Sequence, residues 1–236
     1  MSFETVTIGS ATLYRGDCME LLKQTPDKYY DLCICDPPYG IGADKEKYTP
    51  ENETWKGKTK NGYLTKKWDD EIPTPEYFNQ LKRVSKNQII WGANYFGLVG
   101  GYIFWNKKET MPTYSKGELA WTSLFNRVEM FEMLWSGYKK EIQEVRCHPT
   151  QKPVKLYEWL LTNYAKPGDR ILDTHGGSMS SVIACLNMGF EVTCCEMDAD
   201  YFAAGVDRVR NAQRQQPMFD PVRTKQEQDK MFVDQA

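Results

Sequence analysis

The sequence has no CxxC pair and only two histidines, His148 and His175, far apart along the chain. The usual Cys/His zinc spacings are therefore missing, and no metal site is expected. The seven cysteines are an odd number and poorly spaced for a disulfide framework: Cys33 and Cys35 would share one face of a strand, and Cys194 and Cys195 are adjacent. A reducing setting, and so a cytoplasmic one, fits best. Neither charge sign dominates. A formal net charge of −2 excludes a histone-like blanket binder, so any contact with nucleic acid must come from a local patch. The N-terminal MSFETVTIGS carries Glu4 and lacks an apolar run, which excludes a signal peptide. An uncharged stretch, residues 89–105, is interrupted by Gly92, Asn94, Gly97, Gly100 and Gly101. It also falls short of the roughly 20 residues of a spanning helix. Gly and Pro are near average usage, which excludes a collagen-like or wholly disordered chain.

What remains is material for one domain: 236 residues, 41% apolar and 13% aromatic. Strand-like runs at 11–15, 31–35, 88–92, 101–105, 131–135, 170–173 and 191–196 alternate with helical patterns at 18–23, 75–85, 153–164, 178–188 and 198–214. The last third reads as strand, Gly turn, helix, strand and acid, a βαβ unit with a crevice at its carboxyl edge. The expected class is α/β with a mostly parallel sheet. Residues 40–72 are polar and read as a surface insertion, and 215–236 as a polar tail after a single domain over 1–214.

Three places carry chemistry. Asp36-Pro37-Pro38-Tyr39 follows an apolar strand. Its plain reading is a strand-end turn. Its chemical reading is a site for an exocyclic amine: the Asp36 side chain and the Pro37 carbonyl accept the two N–H bonds, and Tyr39 offers a stacking face. Asp173-Thr174-His175-Gly176-Gly177-Ser178 allows close backbone approach to a small charged ligand at a helix N-terminus. Glu196, at the tip of the next strand, is spaced to bond a ribose diol.

Together these segments, with HPTQKP at 148–153 and PGDRILD at 167–173, resemble the amino-group DNA methyltransferases that use S-adenosylmethionine. The order, target-amine motif before Gly turn, resembles their beta class. Gly16-Asp17 and residues 91–96 (WGANYF) also match. The resemblance implies a Rossmann-like methyltransferase sheet of seven strands with permuted motif order. It implies that Asp36, Pro37, Pro38 and Tyr39 hold a flipped base. It places Asp17, Cys18, Asp36, His148, Thr150, Lys152, Asp173, Thr174, His175, Gly176, Gly177, Ser178, Glu196 and Met197 around the cofactor. His175 and Met179 depart from it, since the family has Phe and Gly there. A bulkier turn would narrow the pocket. The implied activity is methyl transfer to N6 of adenine. N4 of cytosine, or a cofactor-binding module without turnover, stay open as alternatives.

Partners are read from composition. Lys56, Lys58, Lys60, Lys66 and Lys67, interleaved with Tyr63 and free of acids, suit double-stranded DNA. The tail repeats Gln-x-x-Met-Phe at 215–219 and 228–232, resembling peptides that dock on a bacterial sliding clamp. Packing on the chain's own domain, or on a second copy in a homodimer, is the alternative use of those apolar pairs.

Overall fold

The computed structural model describes residues 3–42, 68–110, 112, 115–135, 144 and 147–215. The lysines at 56–67 and both Met-Phe pairs of the tail lie outside them.

In chain order the elements are β1 (Glu4–Ile8), β2 (Ala11–Arg15), α1 (Cys18–Gln24), β3 (Tyr30–Cys35), α2 (Pro75–Val84), β4 (Ser85–Trp91), α3 (Ala93–Phe96), β5 (Gly101–Asn106), β6 (Gly117–Thr122), β7 (Val128–Glu132), α4 (Val154–Tyr164), β8 (Arg170–Asp173), α5 (Ser180–Met188), β9 (Glu191–Glu196) and α6 (Ala199–Arg214). Local chemistry explains their bounds. Asp17 caps α1 by accepting the Met19 N–H at 2.8 Å, and Asp198 caps α6 through Asp200 and Tyr201. Pro75 opens α2, where a missing N–H costs nothing. Gly189, at φ 76°, closes α5.

The strands form one sheet in the order β1-β2-β9-β8-β3-β4-β6-β5-β7. From β2 to β4 every pairing is parallel; β6 runs against both β4 and β5. The expected seven strands are thus extended to nine, with β1 added as an antiparallel hairpin partner of β2 and β6 added between β4 and β5. Alternation along β3 feeds two cores. Leu32 and Ile34 pack with residues of α4, α5 and α6, while Cys33 and Cys35 pack with residues of α1, α2 and α3. Burying both faces explains the unbroken apolar run of β3.

Three boundaries differ from the sequence expectation. Helix α2 runs into β4 without a loop, Ser85 Oγ bonding back to the Leu81 carbonyl at 2.6 Å. The strand expected at 131–135 lies at 128–132, because Trp135 instead turns its indole N–H to the Gln151 carbonyl at 3.0 Å. Helix α5 starts at Ser180 rather than 178, because Met179 takes a left-handed φ of 56° and cannot be helical.

The topology fixes where a ligand can lie. Chain order reverses between β8 and β3: β8 leads through α5 to β9 on one side, and β3 leads through α2 to β4 on the other. Such a switch point opens a crevice at the carboxyl ends of the strands. Asp36, Asp173 and Glu196 stand at or just past those ends. Among the described residues, no helix is long and apolar enough to cross a membrane.

Candidate active site

A cavity of about 900 Å3 opens over this switch point. It is lined by Asp36, Pro37, Pro38 and Tyr39 at one end, and by Asp17, Cys18, Thr174, His175, Gly176, Gly177, Ser178, Glu196 and Met197 at the other. His148, Thr150 and Lys152 stand between.

At the first end, both oxygens of Asp36 are engaged. Oδ1 accepts the Tyr39 hydroxyl at 2.5 Å, and Oδ2 pairs with the Lys152 ammonium. Lys152 Nζ also reaches Glu118 Oε2 at 3.0 Å and the Tyr39 hydroxyl oxygen at 3.2 Å, and lies 5.4 Å from the Trp91 ring centre. Glu118 takes Lys107 on its other oxygen. Burial raises Asp36 above the ordinary carboxylate range; Lys152 opposes that shift and Glu118 adds to it. Although burial works against it, Lys152 and Lys107 hold Glu118 down at about 2. Burial and the Asp36 charge push Tyr39 far up, so its hydroxyl remains a donor.

The loop holding these groups is tied from below. Asp69 Oδ1 accepts the Tyr39 N–H at 2.6 Å and the Gly40 N–H at 2.9 Å. Asp69 is 1% exposed, whereas Asp70, Glu71 and Ile72 after it are exposed. The Tyr39 ring stacks on Tyr95, centres 5.0 Å apart and planes 18° apart. Gly92 permits this, for a Cβ there would meet Tyr39 Cε1 at 2.3 Å.

The other end is made of backbone and small residues. A Cβ on Gly176 would meet Cys194 Sγ at 2.6 Å, so only glycine fits. The Gly176 N–H bonds the Cys195 carbonyl at 2.8 Å. The Gly177 N–H bonds Glu196 Oε2 at 2.7 Å, and the Asp198 N–H bonds Oε1 at 2.8 Å. Burial raises Glu196 as well, against these amide donors. Asp17 reaches the cavity as the cap of α1, with Cys18 beside it. His148 packs edge-on against Tyr201, 4.3 Å between centres, and its Nδ1 lies 3.2 Å from Thr150 Oγ1. Burial lowers His175 to about 4, leaving a neutral aromatic ring at pH 7.

One expected cofactor residue, Asp173, is not part of the cavity wall. Asp173 lies beneath the cavity, 2% exposed, with Oδ1 accepting the His175 N–H at 3.0 Å and Oδ2 the Ser181 hydroxyl at 2.5 Å. It shapes the turn from below. Lys152 lines the cavity with its ammonium paired to Asp36 and Glu118, two carboxylates that satisfy a buried cation. Met179 does not narrow the pocket: it is fully buried, and its side chain fills the space left by Gly205 of α6, where a Cβ would meet Met179 Cγ at 2.8 Å. Lys107, Glu118 and Asp69 were not legible as site residues; the sole hint is their charge beside apolar runs.

Residues 102–207 match the family model described as DNA methylase of the N6/N4 type. Over that region the chain is similar to the N6/N4 amino-group DNA methylases. A curated relative, YubD of Escherichia coli K12, named there as a methylase, is 25% identical over 85% of this chain and 90% of its own. Two solved structures share the fold. The M1.HpyAVI complex with S-adenosylmethionine has a TM-score of 0.54 and 19% identity, over 84% of this chain and 99% of that one. The PvuII DNA methyltransferase, described as cytosine-N4-specific, has 0.56 and 14%, over 90% and 94%. The matched region runs from β5 through most of α6, so it takes in Glu118, Lys152, the Gly turn and Glu196.

Proposed function

We propose that this protein is a DNA methylase that transfers a methyl group from S-adenosylmethionine to the exocyclic N6 of adenine in double-stranded DNA. The observation that supports it is one cavity shared by Asp36-Pro37-Pro38-Tyr39 and the turn latched to Glu196. The groups at the second end fit the donor: an acid positioned for a diol, close glycine backbone, and aromatic walls at His148 and Tyr201. Asp17, Cys18, Gly176, Gly177, Glu196 and Met197 would hold it. When bound, it supplies an electrophilic methyl on a positively charged sulfur.

A base amine is a poor nucleophile because its lone pair is conjugated into the ring. Asp36 and the Pro37 carbonyl would accept its two N–H bonds and draw the nitrogen toward tetrahedral geometry, and the proton it loses on gaining the methyl would leave through Asp36. Positioning and electrostatics carry the acceleration, with no covalent enzyme intermediate. The base must leave the duplex, which costs a few kcal/mol. Stacking on Tyr39 offsets part of this, with Tyr95 yielding its place. Tyr95 is 40% exposed, on a four-residue helix between Gly92 and Gly97, both at positive φ.

Asp, rather than Ser, before the two prolines favours adenine. The fold shared with the PvuII protein keeps N4 of cytosine as the second reading. Incubating unmethylated duplex DNA with methyl-labelled donor and separating the nucleosides decides between them. N6-methyladenine is the expected product; N4-methylcytosine would establish the second reading, and donor binding without label transfer a module without turnover. Lys56, Lys58 and Lys60 are proposed as phosphate contacts.

A further inference from the structure

The charged end of the cavity carries more ionised groups than an amine acceptor needs. Four side chains alternate in sign: Lys107, Glu118, Lys152 and Asp36, each bonded to the next. They come from separate parts of the sheet edge. Lys107 follows β5, Glu118 lies in β6, Lys152 precedes α4, and Asp36 follows β3. The ammonium of Lys152 has three acceptors, Asp36, Glu118 and the Tyr39 hydroxyl, which matches its three protons. All three line the cavity, but the Lys152 side chain is 3% exposed, against 19% and 23% for Asp36 and Glu118. The carboxylates are therefore the more accessible to a ligand. Each Asp36 oxygen uses one lone pair on a protein donor, Tyr39 or Lys152, and keeps another for the cavity.

Taking Asp36 as the amine acceptor, as proposed above, we infer that Lys107, Glu118 and Lys152 are positioning residues that set the orientation and the charge of Asp36. Lys152 favours the ionised form of Asp36, against burial, which favours the protonated one. Glu118 draws part of the Lys152 charge away, so that Asp36 is fixed without being neutralised. Lys107 balances Glu118 and keeps the string neutral. Without Glu118, Lys152 would bind Asp36 wholly and weaken it as an acceptor. Without Lys152, two carboxylates would repel each other across the site. Other titratable groups near Asp36 are Tyr39, Tyr157 of α4 and Asp173 of β8; the tyrosines stay neutral, and Asp173 lies beneath the floor.

The string makes a prediction with opposite signs. In the full-length protein labelled with 13C at aspartate carboxyls, the Asp36 signal is assigned by its loss in Asp36→Asn and followed with pH. Lys152→Met moves its titration midpoint to higher pH, Glu118→Gln moves it to lower pH, and Lys152→Arg leaves it near wild type. The acidic limb of the methyl-transfer rate moves in the same directions, with kcat changing more than KM for DNA. Should Lys152→Met fail to fold, Lys107→Met supplies the upward arm, since it leaves Glu118 uncompensated. Midpoints that stay fixed, or that move together in one direction, overturn the string. Transfer with fixed midpoints would sink the string alone; shifted midpoints without transfer would keep it and sink the methyl-transfer reading.

Discussion

The two ends of the cavity are built by different means. At the Asp36 end, charged side chains from four elements meet, and each is held by another charge. At the Gly176 end, backbone amides and absent side chains shape the wall, and the Glu196 carboxylate is held by backbone amides. Charge can be tuned by its neighbours, while backbone shape is fixed once the turn is folded. Substitutions at the first end should therefore alter rate, and those at the second should alter affinity for the methyl donor.

The largest separation is expected from Asp36→Ala. It abolishes transfer while donor affinity, read by calorimetry, stays within a few-fold; equal losses in both would erase the distinction between the ends. Gly176→Ala is the mirror case. Its methyl group meets Cys194 Sγ, and the turn must shift. Overpacking of this kind costs about 1–3 kcal/mol of stability, and donor affinity should fall with it. Glu196→Ala removes a charged acceptor and frees the Gly177 N–H, weakening the donor by about 10- to 100-fold, or about 1.5–3 kcal/mol. Unchanged affinity would remove Glu196 from the site.

Tyr39→Phe sharpens the comparison within one end. A ring that only stacks would make this change mild. The hydroxyl bond to Asp36 predicts instead a drop in kcat of roughly tenfold, about 1.5 kcal/mol, smaller than that of Tyr39→Ala. The smallest effects are expected with pH, from beneath the Gly turn. Asp173 is raised to about 7 by burial, so the folded state holds an extra proton between about 4 and 7 and loses stability as pH rises through that window. His175 is lowered to about 4, so the folded state holds fewer protons between about 4 and 6.5 and gains stability as pH rises. The slopes oppose, and unfolding midpoints should change little from pH 4.5 to 6.5. His175→Phe should expose the falling slope of Asp173, and Asp173→Asn the rising slope of His175.

Legibility in the sequence follows the same division. The backbone-made end was readable because Gly176-Gly177 after β8 and Glu196 after β9 are local signals whose spacing carries the geometry. The charged end was readable only at Asp36-Pro37-Pro38-Tyr39. Lys107 and Glu118 meet Asp36 through sheet pairing distant in sequence, and β6 itself went unread because Gly117–Thr122 has no clean alternation. β1 was missed because, at an edge, its residues are largely exposed and carry little apolar signal. Met179 reads as an obstruction until its contact with Gly205, on another helix, is known.

Asp69 has a consequence for how such a protein can diversify. Its side chain holds Tyr39 and Gly40, and its carbonyl accepts the Gly42 N–H at 3.0 Å. The two ends of the segment between positions 42 and 68 are thus clasped together at its base. Lengthening a segment whose ends are already joined adds little entropy cost, about 0.6 kcal/mol per doubling even in a flexible chain. The clasp therefore works as a socket: the stretch between its ends can change in length or sequence while the Asp36 loop keeps its register.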